Sequence, residues 1–99
     1  MSNRVAQVES AVARVLSNAI LELSDPRLPM FVSIERVRIS ADLIQAKVFI
    51  SCIGDAQPAV AALNHAKGFL QRQIAQEINL KRTPLLEFFD AKDNLFGTS

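Results

Sequence analysis

The side chains of this 99-residue chain that can do chemistry are its cations, and the most distinctive group of them surrounds a glycine. In the run Leu63-Asn64-His65-Ala66-Lys67-Gly68-Phe69-Leu70, Gly68 interrupts a helical pattern: Val60 and Leu63 precede it, and Leu70, Ile74 and Ile78 follow. Glycine inside a helix costs about 1 kcal/mol relative to alanine, because the unfolded chain has more backbone freedom to lose. The spacing therefore predicts that the helix bends at Gly68 or admits another backbone there, and a bulky β-branched residue at this position is expected to destabilise the domain. Lys67 stands beside the glycine and Arg72 follows about one helical turn later. Such a bend suits a phosphate backbone, with the two cations supplying charge and the amides at a helix start supplying donors. For each cation the alternative is a solvated side chain.

Other cations fall into smaller groups. Lys81-Arg82 follow the second helical run, where positive charge also favours the negative end of the helix. Arg4 and Arg14 lie on the polar face of an N-terminal helix, Lys47 on a strand opposite Ala46 and Val48, and Arg36 and Arg38 share an earlier strand segment. His65, the single histidine, borders the bend, where it lines the kink or is an ordinary surface residue. Arg27, between two prolines, is expected to fix its own loop through backbone carbonyls or Asp25.

Several chemistries are excluded. One histidine, one cysteine and no close carboxylate pair give no nucleophile–base constellation, so the chain is not expected to be an enzyme. No phosphate-cradling P-loop is present, and no cofactor, metal or small-molecule substrate is expected. Asp25, Asp42 and Asp90 sit in turn contexts, where aspartate bonds the local backbone. Cys52 ends an apolar strand pattern and reads as a buried, inert thiol. The net charge of +1 leaves the partner open, and the absence of tryptophan and tyrosine argues against a platform of several exposed rings that stack bases. No signal-peptide pattern and no apolar run of membrane-spanning length occur, so a reduced cytoplasmic compartment is the default.

The elements that must position these residues follow from periodicity. Val5, Val8, Val12, Val15, Leu16, Ala19, Ile20 and Leu23 predict a helix from about Asn3, capped by Ser2 or Asn3, to Leu23. Pro26 requires it to stop near Ser24. From Phe31 to Ser40, Val32 and Ile34 share one parity and Val37 and Ile39 the other. A β-bulge near Glu35-Arg36 would return them to one face; the alternative is a strand apolar on both faces. Ser40-Ala41-Asp42 suits a hairpin, and Ile44, Ala46, Val48 and Ile50 then alternate cleanly in a second strand. Pro58 marks the first turn of a helix, Asn79 is a candidate C-terminal cap of the next, and Leu85 to Asp90 is a final strand. That strand must join the first hairpin, and its pattern is compatible with either direction. The order helix, strand, strand, helix, helix, strand predicts an α+β domain over residues 4–90, a three-stranded sheet with helices on one face, and a flexible polar tail over 91–99.

This order, with a kinked helix pair in the middle, resembles a type II KH domain in which Ala66-Lys67-Gly68 replaces the usual G-x-x-G. Four further motifs are similar, in the same order, to those of the bacterial ribosome-binding factor A family: Leu23-Ser24-Asp25-Pro26-Arg27, Val37-Arg38-Ile39-Ser40-Ala41-Asp42-Leu43, Ala46-Lys47-Val48-Phe49-Ile50-Ser51 and Leu80-Lys81-Arg82-Thr83-Pro84-Leu85-Leu86-Glu87-Phe88. The resemblance covers roughly residues 4–97. It implies an Ala-x-Gly kink at Ala66 and Gly68, and an assembly factor that binds 16S ribosomal RNA on the free 30S subunit. Its role would be late subunit maturation and 16S processing, with greatest need in the cold. The candidate RNA contacts are Arg4, Arg14, Lys47, His65, Lys67, Gly68, Arg72, Lys81 and Arg82, on a protein expected to be a monomer. The alternative, favoured by the near-neutral charge, is a protein-interaction module of the same fold that does not touch RNA.

Overall fold

The N-terminal helix buries the stripe that its 3.6-residue period dictates. In the computed structural model, which describes residues 4–93, α1 runs from Arg4 to Ile20 and buries Val8, Val12, Val15, Leu16, Ala19 and Ile20. Ser2 and Asn3, the expected caps, lie outside the described residues, as does the expected flexible tail beyond Asp93. α1 stops short of Leu23: the N–H groups of Leu21, Glu22 and Leu23 donate to carbonyls three residues back, tightening the last turn before Pro26.

The strands are β1 (Ser33–Ile39), β2 (Gln45–Ser51) and β3 (Leu85–Asp90), in sheet order β1-β2-β3. β1 is antiparallel to β2, and β3 is parallel to it. The direction of β3 follows from the intervening helices α2 (Gln57–His65) and α3 (Lys67–Glu77), which carry the chain back across the sheet to the end where β2 starts. The bulge lies where expected. Ile34 pairs with Ile50 and Arg36 with Phe49, leaving Glu35 as the extra residue. Val37 and Ile39 thereby turn inward. All three helices cover one face. The core joins the α1 stripe, Ala59, Leu63, Leu70 and Ile74 to Val37, Ile39, Ala46, Val48, Ile50, Leu86 and Phe88. No helix among the described residues is long and apolar enough to cross a membrane.

The hairpin gives physical content to its Ser-x-Asp-Leu sequence. The Ser40 hydroxyl donates to Asp42 Oδ1 (2.6 Å) and accepts from the Gln45 N–H (3.0 Å), while Asp42 Oδ1 also accepts from the Ile44 N–H (3.0 Å). These bonds hold Leu43 at φ 63°, a left-handed conformation that a γ-branched residue adopts only when its surroundings enforce it.

Helix side chains also close the sheet edges. Glu9 of α1 accepts the Ile39 N–H at the β1 edge (2.8 Å). At the β3 edge, Gln71 accepts the Leu86 N–H (3.0 Å), and Asn64 both accepts the Phe88 N–H (2.9 Å) and donates to the Phe88 carbonyl (3.2 Å). The Asn64 amide thus stands in for the neighbouring strand that an edge lacks.

The helix break falls at the alanine of the expected Ala66-Lys67-Gly68 kink and not at the glycine. It lies at Ala66 (φ −94°, ψ 9°), which ends α2 and opens α3; Gly68 falls inside the first turn of α3. The Ala66 N–H donates to the carbonyls of Ala62 and Leu63, and its own carbonyl accepts from Leu70. No backbone from elsewhere in the fold approaches Gly68. A Cβ there would meet only Arg72 Nη1, at 3.8 Å, which is ordinary contact. A single methyl group therefore has room at this site: Gly68→Ala should raise stability by about 0.5–1 kcal/mol, seen as a higher urea midpoint with an unchanged slope. α3 ends at Glu77 with Ile78 extended (φ −123°, ψ 125°), so Asn79 does not act as the expected left-handed cap. Cys52 is half-buried rather than buried, its thiol near the Asp55 carbonyl.

Candidate nucleic-acid interface

The elbow between α2 and α3 turns its cations outward because its apolar residues are committed inward. Leu63, Leu70 and Ile74 are fully buried against the sheet. At helical spacing this leaves His65, Gly68 and Arg72 outside the core, with Lys67 half-buried beside them. The Arg72 guanidinium folds back over the first turn of α3, as its nearness to Gly68 shows. A bare stretch of helix backbone is thus bordered by Lys67 and Arg72, with His65 on the preceding turn.

A second group assembles from positions far apart in the chain. Arg4, Lys81 and Arg82 line one depression of about 450 Å³ together with Asp42, Leu43, Ile44 and Leu80. The start of α1 and the α3–β3 connection both reach the hairpin end of the sheet, which brings the three cations together. Pro84 is fully buried and the Leu85 N–H donates to the Ile44 carbonyl (2.8 Å), anchoring the connection there. The one acid in this group, Asp42, is engaged by the hairpin. The Ser40 hydroxyl first, and then the Ile44 N–H, hold its carboxyl below the usual carboxylate range.

Lys47 and Lys67 line a smaller depression of about 220 Å³ beside β3, shared with Glu87. Arg14 stands apart. It faces a depression between α1 and α3 whose other charged residues are Glu22 and Glu77. Arg27 is occupied as expected: its guanidinium donates to Asp25 (2.7 and 3.1 Å) and its N–H donates to the same carboxylate (2.9 Å). These bonds lower the Asp25 carboxyl to about 2. Arg36 and Arg38, not among the expected contacts, point away from the helices on the open face of the sheet, as the alternation of β1 around the bulge implies.

A family model described as Ribosome-binding factor A matches residues 4–95. The ribosome-binding factor A of Borreliella burgdorferi (strain ZS7) is 41% identical over 98 residues, covering 94% of this chain and 80% of that protein. The crystal structure of ribosome-binding factor A from Thermus thermophilus superposes with a TM-score of 0.81 at 30% identity, over 90% of this chain and 98% of that one. A homology model of Thermus thermophilus ribosome binding factor A, as fitted into a cryo-EM map of a complex with the 30S subunit, gives a TM-score of 0.74 at 32% identity, over 86% and 92% of the two chains. On sequence, motif order and fold, the chain belongs to the ribosome-binding factor A family.

Proposed function

We propose that this chain binds the free small ribosomal subunit, contacts 16S ribosomal RNA, and assists late maturation and 16S processing as a cytoplasmic, non-enzymatic factor. The observation that carries this reading is the exposed α2–α3 elbow, where Lys67 and Arg72 flank uncovered helix backbone. Arg4, Lys81 and Arg82 extend the phosphate contacts at the hairpin end, and Lys47 and His65 border the elbow. The complex of the Thermus thermophilus relative with a 30S subunit supports the same partner. Plugged sheet edges favour a monomer, since strand addition between copies would have to displace Glu9, Asn64 or Gln71. Co-sedimentation tests the reading: the protein should pellet with free small subunits and not with mature ribosomes, and the complex should dissociate as salt rises. Equal association with both would overturn it.

Exposed apolar side chains favour an additional protein contact as the second reading. Leu21, Met30 and Phe31 are 77%, 84% and 76% exposed and line one depression beyond the end of α1.

A further inference from the structure

The sheet face turned away from the helices carries three cations, Arg36, Arg38 and Lys47, against two acids, Glu87 and the Glu35 that accepts from the Ser51 hydroxyl. Arg38 of β1 lies directly opposite Lys47 of β2, a like-charge pair that disfavours the sheet. Lys47 has Glu87 of β3 on its other side, yet no ion pair forms. Among the described residues the one ion pair is Arg27–Asp25, so neither Arg38 nor Lys47 has a carboxylate within ion-pair distance. One row further along, Arg36, Phe49 and Phe89 are neighbours across the three strands. Phe49 is fully buried although it points to the open face. The Arg36 guanidinium lies over its ring at 4.7 Å from the centroid, and Phe89 stacks on it at 5.5 Å and 27°. Arg36 is itself exposed, so its planar group is supported from beneath and open above.

We infer that this open sheet face is a second RNA-binding surface, adjoining the elbow at the depression that Lys47 and Lys67 share, which takes an unpaired RNA segment: Arg38 and Lys47 bind successive phosphates, and a base stacks on the Arg36 guanidinium held over Phe49. The cations outnumber the acids on this face, which favours an anionic partner, and the supported guanidinium plane selects nucleic acid over an acidic peptide, because every base offers a face that can stack on it. The inference rests on the small-subunit reading above and deepens it: with RNA-binding groups on both its helix side and its sheet side, the domain would hold two RNA segments together rather than coat one.

The test uses the intact chain with a short labelled oligouridylate, titrated by fluorescence anisotropy over a salt series, and with free small subunits in parallel. The double variant R38Q/K47Q removes two cations at exposed or half-exposed positions. Its slope of log affinity against log salt should fall by about 1.4, and its affinity for the oligonucleotide by roughly 25-fold at 0.1 M salt. The thermal transition should not fall, and should rise slightly as the like-charge pair is relieved. The elbow variant K67E/R72E should lose subunit association and retain an oligonucleotide salt slope that the further change R38Q/K47Q lowers by about 1.4. An unchanged slope in R38Q/K47Q would overturn the sheet surface while leaving the elbow reading intact. Loss of the subunit reading is seen separately, as wild-type protein that does not pellet with free subunits. A photo-crosslinking phenylalanine analogue in place of Phe89 should crosslink to RNA in subunits; crosslinks confined to ribosomal protein would mean an acidic protein partner and would also overturn the inference.

Discussion

Charge reversal at Lys67 and Arg72 is expected to weaken association with free small subunits by about 100-fold at 0.1 M salt. Two phosphate contacts are lost and two repulsive charges are introduced beside the same backbone. Folding should survive. Arg72 is exposed and Lys67 half-buried, neither forms an ion pair, and a glutamate in the first turn of α3 is favoured by the helix dipole. The change in stability should stay within about 0.5 kcal/mol, as for other surface substitutions. Sedimentation with free subunits and a thermal melt of the same sample together check the expectation. A variant that melts normally and still pellets would remove the elbow from the interface and favour the apolar depression beyond α1 as the contact. Reversal at Arg14 should have little effect by comparison, because its surroundings already include Glu22 and Glu77.

The largest effect on stability outside the hydrophobic core is expected at Asn64. Asn64→Ala leaves both the N–H and the carbonyl of Phe88 without their partner, in a part-buried setting. Each group left unsatisfied costs about 1–3 kcal/mol, with partial rescue by water, so a loss of about 2–3 kcal/mol is expected. For a domain of this size that corresponds to a fall of roughly 10–20 °C in Tm. Gln71→Ala removes a single bond, to the Leu86 N–H, and should cost about 1 kcal/mol. Chemical denaturation of the two variants orders them. If Asn64→Ala changed stability by less than Gln71→Ala, solvent would be satisfying the β3 edge and the amide would not be its plug. The exposed edge should also make Asn64→Ala more prone to self-association, which light scattering would detect.

Features that depend on near neighbours along the chain were legible in the residues alone. The buried stripe of α1, the clean alternation of β2 and the bulge at Glu35 are all consequences of side chains two, three or four positions apart, and periodicity records them directly. The turn chemistry of Asp25-Arg27 and of the hairpin at Ser40 and Asp42 is equally local, with partners two to five residues away. The order of the five short motifs was enough to indicate the family, because each marks a turn, a bend or a strand in the same succession. Gly68 was legible as an anomaly in a helical run, but its reason was not: the break lies at Ala66, and the room around Gly68 depends on what stands opposite it in space. The tertiary structure alone decided the parallel direction of β3, the role of Asn64 and Gln71 at its edge, the meeting of Arg4 with Lys81 and Arg82, the isolation of Arg14 beside two acids, and the opposition of Arg38 and Lys47 on the open face. These features join residues separated by long stretches of chain. Their partners are chosen by how the layers pack and by which backbone groups must be satisfied, and no local period carries that choice.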